Sequence, residues 1–464
     1  MGYLELLRTH PKFRRLWFGQ LISECGDWLQ LIALLQLFPT VGRSVELLAG
    51  VFIVRMLPWI VLAPITGVIA DRFHRGRVMV ACDIGRALIV LGYLFVRGPE
   101  DTPLIYALLF VQESFAAFFE PARSAALPQI VAPEARFAAN SLAGATWSAM
   151  LAIGSALGGL LTGHLGARAA FVINAATFLA SAVLIAGVAI PKVGGAPGDA
   201  AEGALGSARR ADRFGLGALR EGIAYLGAHP AQATVAWVKG LWGLSGGLVF
   251  LLSIYASEVL TGGGEGAAGV TGLLYTGRGL GALAGPLIAR RLIGESVRAL
   301  RRSIQIAFPL AAVSIFAFAY AEDAWTAAAL LVLAYGGGSI TWVSSTQLIQ
   351  LTVPNRLQGR VFSVEFATLT LTMALSNAFA GSALGRELLS LRGVTFVMAA
   401  VATVSALVWA FAMRRLGSRL EVAARTSAIS DAAGRASAIS EGELAAPPAP
   451  APGPGGAPAP PAHR

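Results

Sequence analysis

Charge is scarce in this chain. Only 13% of its 464 residues are Asp, Glu, Lys or Arg, about half the share of an average soluble domain, which points to a lipid environment. Lysine is scarcer still: Lys12, Lys192 and Lys239 are the whole complement. None of them follows a GxxxxGK[ST] run, so a phosphate loop and an ATP-driven pump are excluded. The five histidines (His10, His74, His164, His229, His463) are scattered without paired ligand spacing, and no metal site is expected. The two cysteines, Cys25 and Cys82, both lie in apolar segments and give no disulfide framework. No catalytic residue and no cofactor is expected. The N-terminus, MGYLELLRTHPKFRRLW, lacks the basic, apolar and cleavage regions of a secretory leader, so the first apolar run is expected to act as its own insertion signal.

What is abundant is apolar sequence, at 55% of residues. About 20 apolar residues cross the roughly 30 Å of bilayer hydrocarbon. Read against charged and Gly/Pro breaks, runs of that kind lie near 16–38, 47–70, 78–96, 104–120, 139–165, 169–190, 232–257, 268–289, 304–321, 325–351, 361–385 and 393–413. The expected fold is an all-α integral membrane protein of twelve transmembrane helices. The net charge of +10 sits in short clusters between these runs, not along one polar face, and excludes nucleic acid as a partner.

With both termini cytoplasmic, the opposite loops hold only Arg43, Arg97, Arg168, Arg386 and Arg392, and nearly all remaining bases fall on the side of the termini. This obeys the positive-inside rule and predicts a multi-pass protein of the plasma (inner) membrane. The chain divides into a six-helix half at 1–190, a cytoplasmic linker at 191–229, a second six-helix half at 230–415, and an Ala/Pro/Gly-rich tail at 416–464. The tail is expected to be disordered, because its composition offers little apolar surface to bury.

The second run ends in Gly67-Val68-Ile69-Ala70-Asp71-Arg72-Phe73-His74-Arg75-Gly76-Arg77. Gly67 permits close helix packing, Asp71 can cap the next helix, and Arg72, Arg75 and Arg77 hold the cytoplasmic face. Gly285-Pro286-Leu287-Ile288-Ala289-Arg290-Arg291 occupies the equivalent place in the second half, with Ala289 where Asp71 stands. A second echo pairs Val131-Ala132-Pro133-Glu134-Ala135-Arg136 with Thr352-Val353-Pro354-Asn355-Arg356. These features resemble the major facilitator superfamily. Phe13-Arg14-Arg15-Leu16-Trp17 with Gly26-Asp27, Phe171 to Phe178 around Asn174, and Val353-Pro354 with Gly359-Arg360-Val361 are similar to its enterobactin-exporter and macrolide-efflux branch. The resemblance implies two pseudo-symmetric halves around a central cavity.

Charged groups at membrane depth mark sites or paired networks. At about 1.5 Å per residue from Arg15, Glu24 and Asp27 lie near mid-membrane, on one face with Gln20. Glu113 reaches similar depth on the fourth run and is the expected proton carrier, since a carboxylate whose surroundings alternate can take a proton on one side and release it on the other. Arg55, Lys239 and Arg278 are the expected cationic partners of these acids, on helices that the resemblance places around the cavity. Asp83 and Arg86 are read as gating support near the cytoplasmic end, pairing with each other or with the Asp71 loop, and Glu365 as a cytoplasmic contact. Trp28, Phe115, Phe119, Trp237, Trp242 and Trp342 are aromatic candidates for the cavity wall. Gly154, Gly158, Gly159 and Gly163 form small-xxx-small packing patterns on the fifth run. The expected function is secondary transport, as a proton-coupled exporter of a small amphipathic compound working as a monomer. An importer or uniporter of a metabolite or lysolipid, and a non-transporting receptor or scaffold, are the alternatives.

Overall fold

The computed structural model describes residues 2–38, 43–62, 65–66, 69, 72–190, 216–263, 266–292 and 296–444. Among these residues there is no strand. A short helix α1 (Tyr3–Thr9) precedes α2 (Pro11–Leu35), α3 (Arg43–Val61), α4 (Arg75–Gly92), α5 (Thr102–Ile130) and the long α6 (Arg136–Ala186). The second half of the chain begins with α7 (Leu216–Ala228), followed by α8 (Pro230–Gly243), α9 (Leu248–Ile254), a π turn at Tyr255–Leu260, α10 (Ala267–Leu292), α11 (Val297–Phe318), α12 (Ala324–Thr352), α13 (Asn355–Gly385) and α14 (Leu391–Leu444). Each of the twelve expected apolar runs overlaps one of these helical segments. Eight helices among the described residues are long and apolar enough by themselves to cross a membrane.

The fifth and sixth spans share α6, which is broken at Gly166, where φ is +79°. That left-handed conformation suits glycine, which has no Cβ to clash. The neighbours of the two limbs prove the reversal. Before the break, a Cβ on Gly154 would stand 2.6 Å from Cys25 O and one on Gly158 2.9 Å from Leu29 Cα, so this limb ascends with α2. After it, Asn174 and Thr177 abut Gly26 while Ser181 and Ile185 abut Gly19, so the second limb descends along the same helix.

Helices in lipid gain little from excluding water from one another, and close van der Waals packing holds them instead. Three buried apolar clusters result among the described residues. One is shared by both halves: it joins Leu29, Ile32, Val51 and Phe171 to Phe250, Tyr255, Phe318 and Met398, at the end of the bundle remote from the N-terminus. The other two lie near the termini and each belongs to one half. The first contains Leu6, Phe13, Met79, Phe119 and Ile185, the second Val235, Phe308, Val361 and Trp409. The halves are therefore packed together at the remote end and separately at the near end.

The seam follows the same division. A Cβ on Gly159 would lie 3.0 Å from Gly272 Cα, Thr276 Oγ1 donates to Ala152 O at 3.1 Å, and Arg386 Nε is 3.6 Å from Glu46 Oε1. On the near side of Gly279, the atoms nearest to a Cβ on Gly281 or Gly285 belong to α12, in their own half. Of the four candidate packing glycines, Gly154 and Gly158 face α2 and Gly159 faces the seam. Gly163 has no atom within 4 Å of where a Cβ would stand and takes no part in the packing.

Two expectations about the ends of the chain need restating. The last helix does not stop near Met413 but continues to Leu444, because 414–444 holds helix-forming Ala, Arg, Glu and Ser with no proline. Only 445–464 of the expected tail lies outside the described residues, as does 191–215 of the linker. The remainder of the linker is α7, docked where Gly222 meets Arg360 O and Glu221 pairs with Arg360.

Candidate functional site

The charged residues at depth form layers in the first half. Arg86 Nη2 donates to Asp27 Oδ2 at 2.5 Å, linking the third span to the first. Its Nη1 lies 3.7 Å from Asp83 Oδ1, and its guanidinium stands 4.0 Å from the Phe178 ring centroid. Asp83 is fully buried and accepts from Ser181 Oγ at 2.6 Å. These two residues were expected near the cytoplasmic loop. Because α4 begins at Arg75, Arg86 is instead three turns inside, about 16 Å deep, and serves the centre of the bundle.

One layer over, Arg55 Nε donates to Glu113 Oε1 at 2.8 Å, and Trp59 Nε1 donates to Glu113 Oε2 at 3.1 Å. Glu113 thus has both oxygens engaged, and the second and fourth spans are tied together. Glu24 is different. It accepts from Gln20 Nε2 at 2.7 Å, while its Oε2 is buried with no hydrogen-bond partner. The nearest base, Arg123, pairs with Glu120 and donates to Gln20 Oε1 at 3.3 Å. Arg123 lies past the end of the fourth apolar run at 104–120, but α5 runs on to Ile130 and carries it inside the helix. Glu24, Gln20, Arg123 and Glu120 therefore form a polar ladder from mid-bundle toward the near end.

Lys239 does not face the acids of the first half as expected. Its Nζ donates to Glu365 Oε2 at 2.9 Å and to Thr346 Oγ1 at 2.9 Å, with side-chain exposures of 6% and 4% for the ion pair. Depth along the sequence predicts the layer of a residue but not the direction it points. The face of α8 carrying Lys239 also carries Gly240 and Gly243, which pack on Thr368 and Thr372 of α13 and aim the lysine at Glu365. Glu365, ten residues inside α13, is a buried partner and not a cytoplasmic contact.

Arg278 also meets none of the expected acids. Among the described residues no carboxylate pairs with it, and its Nε is buried without a hydrogen-bond partner. Its Cζ lies 5.6 Å from the Trp28 ring centroid, 5.8 Å from Tyr275 and 5.2 Å from Tyr335. Of the other aromatic candidates, Trp342 lies 4.4 Å beneath Lys239 Nζ, Trp242 packs on Phe308 and Tyr335, Phe115 covers Gly85, Phe119 is core, and Trp237 is exposed.

In the gating motif, Gly67 and Asp71 lie outside the described residues. Arg75 Nη1 donates to Ala125 O at 2.9 Å, and Arg72 and Arg77 are exposed. The residue that caps α4 is His74, whose Nδ1 accepts from Arg77 N at 3.4 Å.

A cluster of neutral amides escaped the sequence reading. Gln30 and Gln112 exchange hydrogen bonds at 2.9 and 3.1 Å, and Asn174 Nδ2 donates to Gln30, tying the first, fourth and sixth spans together. Their signal is an amide in the middle of an apolar run, where a lone polar group needs a partner.

This architecture has close parallels. The model of the Major Facilitator Superfamily matches residues 16–376. BacE of Bacillus amyloliquefaciens, named for bacilysin export, is 28% identical over 367 residues, covering 79% of this chain and 87% of that protein. The enterobactin exporter EntS of Salmonella choleraesuis is 27% identical over 417 residues, covering 87% and 90%. The crystal structure of the nucleoside transporter NupG superposes with a TM-score of 0.65 at 13% identity, covering 86% of this chain and 99% of that one. The chain is a multi-pass membrane transporter and belongs to the Major Facilitator Superfamily.

Proposed function

We propose that the protein is a proton-coupled exporter of a small amphipathic compound in the inner membrane, with both termini cytoplasmic. The positive-inside pattern supports that orientation. It makes the separately packed end the cytoplasmic one, so the halves are closed toward the outside and parted toward the cell interior. The export direction is drawn from BacE and EntS, each named as an exporter and each matching most of this chain.

The observation that carries the coupling is Glu24, a mid-span carboxylate that accepts no hydrogen bond from a base among the described residues. Glu113 was the expected carrier, yet Arg55 and Trp59 occupy both of its oxygens. The ladder through Gln20 and Arg123 gives Glu24 a polar route toward the cytoplasm, and a rearrangement of Arg123 between Glu120 and Glu24 alternates its surroundings as coupling requires.

The test uses the purified chain in proteoliposomes, with bacilysin and enterobactin as first substrates. Wild type is expected to move substrate against its gradient when protons flow the other way. Glu24→Gln is expected to lose that drive while keeping substrate exchange at zero pH gradient. Uptake in the same direction as the protons sinks the export reading, and an unchanged Glu24→Gln removes that residue as the carrier.

A further inference from the structure

We infer that Arg278 is a receptor for an anionic group on the transported molecule, in a slot whose walls suit a planar aromatic body. The inference rests on the transport reading above and names the substrate class for it.

A guanidinium stays charged under all relevant conditions, and a charge at membrane depth is costly unless it is paired. The other bases near mid-span obey this rule. Arg55, Arg86 and Lys239 have carboxylate oxygens at 2.8, 2.5 and 2.9 Å, and Arg123 pairs with Glu120. Arg278 breaks it. Among the described residues no carboxylate pairs with it, and its Nε is buried without a hydrogen-bond partner. The Tyr275 hydroxyl donates elsewhere, to Val249 O at 2.9 Å.

Three rings replace the missing acid. Trp28, Tyr275 and Tyr335 stand 5.2 to 5.8 Å from Cζ, within the roughly 6 Å reach of a cation–π contact. Such contacts, with a side-chain hydrogen bond to Tyr335, hold the guanidinium in place yet leave its charge unneutralised. Its in-plane donors match an oxyanion bidentately, as in arginine–carboxylate pairs. Trp28 belongs to the first half and is itself set edge-on by Trp147 at 5.5 Å, so a ligand bound here touches both halves at once.

The position fits a terminal binding point. Arg278 lies between Thr276 and Gly279, the last seam residues that touch Ala152. Beyond them the nearest neighbours of Gly281 and Gly285 belong to their own half. A molecule entering from the parted end therefore meets Arg278 and Trp28 where the halves converge.

The test titrates the full chain in lipid nanodiscs with three probes sharing one ring system: 2-naphthoate, 2-naphthamide and 2-naphthylmethylammonium. Wild type is expected to bind the carboxylate at least about tenfold more tightly than either of the others. Arg278→Gln is expected to erase the preference, and Arg278→Lys, which keeps the charge, to retain part of it. Trp28→Leu is expected to weaken all three probes alike. Absent naphthoate binding or equal affinities in wild type overturn the proposal, as does a preference that survives in Arg278→Gln. Selective binding without proton-driven export would sink the exporter reading and leave this site standing.

Discussion

The two halves of the bundle share a backbone plan but are held by different forces. In the first half, polar links run between helices: Arg86 to Asp27, Arg55 to Glu113, Ser181 to Asp83, and the amides of Gln30, Gln112 and Asn174. Among the described residues, the second half has one deep ion pair, Lys239 with Glu365. Elsewhere it relies on glycine contacts, such as Gly277 on Ala328 and Gly337 on Ala307, and on uncharged hydroxyl links, such as Ser303 with Ser344 at 2.7 Å, Tyr255 with Thr395 at 3.0 Å and Ser376 to Leu244 O at 2.6 Å. The sequence foreshadows this asymmetry, since Ala289 stands where the first half has Asp71. Duplicated architecture does not imply duplicated chemistry. The first half carries interlocked charge, while the second presents an unpaired base to the seam.

The hardest blow to that contrast would be Arg86→Ala. It strips the base from both Asp27 and Asp83, and breaking a buried pair costs about 3–5 kcal/mol. A steep loss of folded, monodisperse protein is expected, partly recovered by adding Asp27→Asn, and an unchanged melting curve would mean that charge does not organise the first half. Lys239→Met should come next, because it strands only Glu365. The double variant Lys239→Met with Glu365→Leu is expected to regain most of the stability, since a well-packed apolar pair often replaces a buried ion pair without loss. Lost transport in a stable double variant would show that the second half, too, uses its charge. Gly158→Leu should cost about 1–3 kcal/mol by forcing α6 off Leu29, whereas Gly163→Leu should leave the thermal midpoint unmoved. The smallest effect concerns Asp323, outside the spans. Hydrogen bonds from Thr326, together with one from Trp325 N, hold its carboxyl below the ordinary range. A lowered native value means the cap contributes fully above about pH 4 and fades as pH falls through that value. Asp323→Asn should therefore flatten a slight acid-side decline in the melting temperature.

Membrane depth explains what the sequence could and could not reveal. Runs of bilayer length show up as composition, so all twelve were placed on helices, and the paired motifs identified the family. Partner choice depends on where a helix begins and which way each face turns. Arg86 and Arg123 were misplaced because α4 starts earlier and α5 ends later than their apolar runs. Lys239 was aimed at the wrong half because its azimuth is set by Gly240 and Gly243, not by its depth. The Gln30 cluster stayed hidden because neutral amides barely disturb hydropathy.

The reversal at Gly166 bears on how the protein moves. With a single residue of non-helical backbone between its limbs, the hairpin has no slack. Neither limb can shift along the bilayer normal without carrying the other, so the fifth and sixth spans move as one rigid hairpin against α2.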